Sequence, residues 1–174
     1  MENKKRNILI DENSIKDQLK ITAEKISKDY IGKKLYVLSL LRGSFIFTAD
    51  LVRELDLDVK IGFMTTSSYG HNEESTGVVK IVNDIPDTIE GYDVLVVDDI
   101  VDSGITMNFV LNYVKEKGAN SVKSCVLLDK PSRRMVDIRP DYCCFEIEDV
   151  FVEGYGLNYG DYYRNIPYVF NWEE

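Results

Sequence analysis

The sequence predicts an α/β domain built on a mostly parallel sheet with helices on both faces. Three observations point there. Runs of strand length at 35–41, 59–66, 94–97 and 122–128 are largely apolar, segments of helical period separate them, and glycines stand where the helices should stop. A strand that is apolar on both of its faces needs cover on both, which is the condition of a parallel sheet between helical layers.

The first helix is expected over roughly 14–30, where Ile15, Leu19, Ile26 and Tyr30 recur near helical spacing after Ser14 and Gly32 supplies the stop. The strand 35–41 follows, then the turn Arg42-Gly43-Ser44 and a helix over 45–55. A second strand at 59–66 runs into the polar stretch 67–77, which reads as a long hairpin loop returning along 78–82. The run 94–97 is the most strongly buried in character. It leads through 98–104 into a helix over 105–117, closed by Gly118, and the strand 122–128 comes next. From Asp141 the tail is rich in aromatics and short β-like pieces, which suits a small hood beside the main sheet. No repeat or linker divides the chain, so 1–174 is read as one domain with a lid over about 67–80 and hood segments over about 141–174.

Composition excludes several classes of function. Thirty acidic and 21 basic side chains leave a net charge of −9 across 174 residues, which argues against a broad basic surface for nucleic acid or anionic membrane. An anionic substrate would need positive charge gathered locally. A chain of this length buries about two-thirds of its unfolded surface, enough to form a core without disulfides or a structural metal. The three cysteines, Cys125, Cys143 and Cys144, cannot all pair and lack a zinc-ligand spacing. Lys4, Lys5 and Arg6 are followed by Asp11 and Glu12 rather than an apolar segment, unlike a secretory signal, and no apolar run approaches membrane-spanning length. A cytoplasmic location is expected.

The most informative segment is 94–107, Val-Leu-Val-Val-Asp-Asp-Ile-Val-Asp-Ser-Gly-Ile-Thr-Met. In a parallel sheet ligands bind at the carboxyl ends of strands, and here such an end carries acids and then opens a helix. The backbone N–H groups of Ser103, Gly104, Ile105 and Thr106 at that helix start form a cradle for a phosphate, with Gly104 allowing close approach. Asp98 and Asp99 can accept from neighbouring sugar hydroxyls or hold a hard cation. A phosphate cradle beside diol-binding acids describes a ribose 5-phosphate site.

This segment resembles the phosphoribosyl pyrophosphate signature of type I phosphoribosyltransferases, and the whole chain resembles their hypoxanthine-guanine family. Leu41-Arg42-Gly43-Ser44 resembles the family's first active-site loop, Ser68-Tyr69 the start of its lid, and Asp129-Lys130-Pro131 its purine-reading lysine. Phe151 to Asn158, with Tyr163-Arg164-Asn165, resembles its base-stacking hood. These elements keep the family order over roughly residues 36–168.

The resemblance implies transfer of a phosphoribosyl group from phosphoribosyl pyrophosphate to hypoxanthine or guanine, giving IMP or GMP and pyrophosphate, with Mg2+ as cofactor. It implies Asp102 as the group that handles the purine N7 proton, and Asp98, Asp99, Ser103, Gly104, Ile105 and Thr106 as phosphoribosyl ligands. Arg42, Gly43 and Arg164 would bind pyrophosphate. Lys130 would donate to the 6-oxo group, Phe151 would stack on the base, and Val152 would offer it backbone groups. Ser68 and Tyr69 would exclude water. A non-proline cis peptide at the first loop and a homodimer or homotetramer are also implied. Two positions depart from the family pattern. Asn158 stands where Asp is usual at a metal-linked position, weakening any second magnesium there, and Asp98 is one methylene shorter than the usual Glu. His71, the sole histidine, falls in the lid stretch and offers no triad. The Arg133-Arg134 pair is left open between a subunit contact and the rim of the site.

Two other readings fit less well. A phosphoacceptor receiver domain would carry its acidic pair near the start, whereas here a substantial αβ segment precedes Asp98-Asp99. A nucleotide-binding regulator of RNA would show a basic face, and this chain is acidic.

Overall fold

The computed structural model describes residues 5–68 and 79–173, with Ser68 described by its backbone alone. Tyr69, His71 and the rest of the expected lid tip lie outside the described residues.

A strand β1 (Arg6–Ile10) precedes helix α1 (Glu12–Asp29). Strand β2 (Leu35–Leu41), helix α2 (Phe45–Glu54) and strand β3 (Val59–Ser68) follow, then β4 (Val79–Asn83) and β5 (Asp93–Val101). Helix α3 (Ile105–Glu116) leads to β6 (Ser121–Asp129), a 3-10 turn at Pro131–Arg133, β7 (Tyr142–Glu146) and β8 (Val169–Trp172). The main sheet has the order β4-β3-β2-β5-β6-β7 and is parallel except for the β3–β4 pair.

Apolar character on both strand faces feeds two cores, as expected. In β5, Leu95 and Val97 join Ala23 and Ile26 of α1 and Phe47 and Leu51 of α2 on one face. Val94 and Val96 join Met107, Val110 and Val114 of α3 on the other. Alternate side chains of a strand point to opposite faces, so one fully apolar strand anchors both helical layers.

Several boundaries move for physical reasons. Helix α1 begins two residues before the expected Ser14, because Asp11 caps it by accepting from the N–H groups of Asn13 at 2.9 Å and Ser14 at 3.0 Å. Strand β5 extends past 97, so Asp98 and Asp99 lie within the strand rather than in the loop after it. Its pairing with β6 continues through Asp98↔Val126 and Val101↔Asp129, whereas its pairing with β2 ends at Ser39↔Val97. The expected hood needs a larger correction. Tyr142–Glu146 is the edge strand of the main sheet, parallel to β6, and the small separate sheet pairs β8 with the N-terminal β1, from which the sequence reading expects no strand.

The strand order decides where a ligand can sit. From β2 the chain crosses to β3 on one side, and from β5 it crosses to β6 and β7 on the other. Connections leaving β2 and β5 therefore diverge, and a crevice opens between their carboxyl ends. Because Leu95 is fully buried between α1, α2 and the sheet, Leu95→Ala should cost about 2–5 kcal/mol, measured by urea denaturation.

Candidate active site

The first wall of the crevice is the end of β2. The Leu41–Arg42 peptide is cis, as the resemblance implies. Gly43 comes next, and a Cβ built on it would lie 1.7 Å from Oδ2 of Asp99. Only the bare backbone of glycine permits this approach. Gly156 closes the same corner from the C-terminal segment: its own Cβ would lie 2.2 Å from the Gly43 carbonyl oxygen, and its carbonyl accepts from Nη1 of Arg164 at 2.6 Å. Gly43, Asp99, Gly156 and Arg164 thus meet in one place, although they come from three separate parts of the chain. The Arg42 side chain is exposed and has no ion-pair partner among the described residues.

The second wall is the end of β5. Asp98 Oδ1 accepts from the Asp99 N–H at 2.9 Å, and Asp99 Oδ1 accepts from the Ile100 N–H at 2.8 Å. Burial, followed by the adjacent Asp99 charge, pushes the Asp98 carboxyl well above the usual carboxylate range. Burial raises Asp99 too, with partial relief from its hydrogen bonds and the Arg164 guanidinium. Two acids held in this way favour a cation or hydroxyl donors as their neighbour.

Beyond them Asp98, Asp102, Ser103, Gly104 and Thr106 line a cleft of about 240 Å3. Gly104 has φ +82 and is packed so closely that a Cβ would lie 2.6 Å from Cγ2 of Ile138. No side chain bonds as an N-cap to α3; the Ser103 hydroxyl accepts only from the Ile105 N–H, at a long 3.3 Å. The start of α3 is therefore without a strong side-chain cap, and helix N-termini of this kind favour negative charge.

The remaining predicted residues are brought to the same end of the sheet in varying degree. Asp102 is half-buried, and its Oδ1 accepts from Nε of Arg133 at 3.2 Å. Lys130 follows β6 directly, with its N–H bonded to the Val101 carbonyl at 2.9 Å. The residue is only 6% exposed, and its ammonium has no partner among the described residues while keeping contact with solvent. An ammonium placed in this way can donate to an acceptor on a ligand. Phe151 is 63% exposed and meets Tyr159 edge-on. Val152 is buried beside it. Asn158 donates its amide to the Gly160 carbonyl. Ser68 ends β3, and its side chain lies outside the described residues, as does Tyr69.

Sequence reasoning left Arg133 and Arg134 undecided, and the structure sets both against the cleft. Arg133 bridges Asp102 to Asp149 at 3.2 and 3.5 Å. Arg134 pairs with Asp129 and donates to the Asp102 carbonyl at 2.7 Å. The available signal was adjacency: β6 neighbours β5, so basic residues just after β6 fall beside the acids that end β5.

Strand order and crevice are those of a phosphoribosyl transferase domain, and the family model of that description matches residues 6–160. The chain belongs to the hypoxanthine-guanine phosphoribosyltransferase family. It is 45% identical over 172 residues to the hypoxanthine-guanine phosphoribosyltransferase of Aquifex aeolicus, covering 98% of this chain and 97% of that one. The Bacillus subtilis protein of the same name is 39% identical over 162 residues, covering 93% and 90%. Among solved structures, a hypoxanthine phosphoribosyltransferase from Staphylococcus aureus superposes with a TM-score of 0.92 at 39% identity, covering 96% of this chain and 91% of that one.

Two predictions come from this geometry. Because the folded state raises the Asp98 carboxyl, it binds protons more tightly than the unfolded chain, so stability falls as pH rises above the unfolded value near 3.8 towards the raised folded one. Asp98→Asn should raise the melting temperature of the ligand-free protein by a few degrees at pH 7 and flatten its dependence on pH between 4 and 7, measured by calorimetry. Gly43→Ala should displace Asp99 and lower kcat/KM by at least about tenfold while retaining the far-ultraviolet circular dichroism of the parent.

Proposed function

We propose that this protein is a purine-salvage transferase that moves the phosphoribosyl group from phosphoribosyl pyrophosphate to hypoxanthine or guanine, producing IMP or GMP and pyrophosphate. The observation that carries this reading is the sequence of groups on adjacent strand ends: two acids and a helix start without a side-chain cap on β5–α3, and just after β6 a lysine whose ammonium has no partner among the described residues. The names of the relatives support the same substrates.

In this reading the 5-phosphate sits on the N–H groups of Ser103, Gly104, Ile105 and Thr106, with the Thr106 hydroxyl beside it. Asp98 and Asp99 accept from the ribose hydroxyls. Arg42, the Gly43 backbone and Arg164 hold the pyrophosphate. The C1′–oxygen bond to pyrophosphate breaks, a bond from C1′ to a purine ring nitrogen forms, and the base loses a proton. Asp102 takes or holds that proton at N7; Arg133 occupies only its Oδ1, leaving Oδ2 for the base. The Arg133 contact also keeps the carboxylate oriented. Lys130 donates to the 6-oxo group, and adenine, whose 6-amino group presents hydrogens, is rejected because an ammonium can only donate. Phe151, already exposed, stacks on the base, and the Val152 backbone, which carries no hydrogen bond among the described residues, reads its edge.

The donor chemistry of Asp98 and Asp99 suits Mg2+: hard carboxylate oxygens whose mutual repulsion a cation relieves, with the other positions left to water and substrate oxygens. When bound, Mg2+ would neutralise charge on the pyrophosphate. Asn158, its amide engaged by Gly160, keeps one side-chain oxygen for a second ion and would hold it weakly. Three free thiols fit a reducing cytoplasm. Exposed Phe45, Ile61 and Phe63 fit assembly as a homodimer or homotetramer.

Pyrophosphate release, measured with phosphoribosyl pyrophosphate, Mg2+ and each of hypoxanthine, guanine, xanthine and adenine, should be found with the first two bases. Activity confined to adenine would overturn the role of Lys130. Asp102→Ala should lower kcat by at least about a hundredfold; turnover near the parent's would leave Asp102 a structural acid. Asn158→Asp should lower the Mg2+ concentration needed for half-maximal rate, measured by titration.

A further inference from the structure

One buried acid has no part in the reaction described above. Glu153 follows Val152 directly and is 1% exposed. Its two carboxylate oxygens accept from a single donor, Nε1 of Trp172, at 3.0 and 3.1 Å, and no other hydrogen bond reaches them among the described residues. A carboxylate offers about four acceptor sites. Burying one with a single N–H donor costs more than burying an apolar side chain of similar size.

What the carboxylate adds is direction. The backbone N–H and carbonyl of Glu153 each bond to Phe170 at 2.9 Å, attaching this segment to β8. A slip of one residue against β8 would turn the side chains over, but a slip of two would keep both sidedness and backbone bonding. The indole–carboxylate bond distinguishes the true register from that slip, because Trp172 is the chain's sole tryptophan and has a single N–H. Trp172 is itself fixed. It pairs with Arg6 of β1, whose guanidinium lies 4.9 Å from the ring centre of Phe170, 5.4 Å from Tyr163 and 5.8 Å from Trp172.

We propose that Glu153 is a positioning residue of the purine site, which acts through Trp172 to fix the register of 151–153 on β8 and so the place of Phe151 and the Val152 backbone. The inference rests on the assignment of Phe151 and Val152 to base binding. It concerns a pair of side chains that never touch the base.

The test compares steady-state kinetics and melting temperature in Trp172→Phe, Glu153→Gln and the double variant Glu153→Val/Trp172→Phe. Trp172→Phe keeps the ring but removes the N–H, and it should raise KM for hypoxanthine about tenfold, leaving kcat and KM for phosphoribosyl pyrophosphate within about twofold. Glu153→Gln retains an acceptor for the indole and should stay within about threefold of the parent in KM for hypoxanthine. The double variant leaves no unpaired acid, so its melting temperature should recover towards the parent while KM for hypoxanthine stays high. It also keeps the test available if Trp172→Phe alone does not fold. If KM for hypoxanthine follows the melting temperature across the set, or does not move when the pair is removed, the two residues only stabilise the fold and the inference fails. A parent enzyme that transfers to no purine would overturn the assigned activity and this inference together, whereas an active parent with indifferent variants would overturn the inference alone.

Discussion

The site depends on two like charges held side by side at the end of a buried strand. Asp98 and Asp99 are consecutive in β5, and neither can leave without unpairing that strand from β6. Their repulsion and burial raise the free energy of the ligand-free state. What makes the arrangement tolerable is local: backbone N–H groups of Asp99 and Ile100, the Arg164 guanidinium, and the absence of a side chain at Gly43. The energy stored there is available to any ligand that brings a cation or hydroxyl donors. The cost falls at the position where the strand order already opens the sheet.

That opening explains why short, weakly specific motifs meet. β2 and β5 are neighbours in the sheet but lie far apart in sequence, and their connections leave in opposite directions. Arg42-Gly43 and Asp98-Asp99 arrive at one crevice through strand order. Lys130 arrives because β6 is the next strand, and its connection turns back through Arg133 and Arg134 to the Asp102 loop. The C-terminal segment reaches the same corner through Gly156, whose missing side chain lets it lie on Gly43.

How much of this was legible in the sequence follows from the range of the interactions involved. The parallel core could be read because its strands are apolar on both faces, a property local to each run. The strand, acids and helix start over 94–107 could be read because they are contiguous. The start of α1 lies outside its apolar period because the cap Asp11 precedes it, and β5 outruns its apolar stretch because pairing with β6 continues through two acids that by themselves look like a strand end. The β1–β8 sheet had no local signal: Arg6–Ile10 is short and mostly exposed, and its partner lies at the other end of the chain. The pairing of Arg133 with Asp102 is legible only once strand order is known, since it depends on β6 lying beside β5.

The antiparallel pairing of β1 with β8 also sets an order of events. Arg6 faces Trp172, and the Glu173 N–H bonds to the Lys5 carbonyl at 3.0 Å. During synthesis β1 has to wait until β8 has been made before its complement exists. The sheet body can assemble in the meantime, since none of its strand pairs requires either terminus. A nascent chain in which β8 had not yet been made would carry the sheet body while the bonds between Glu153 and Phe170 were still missing.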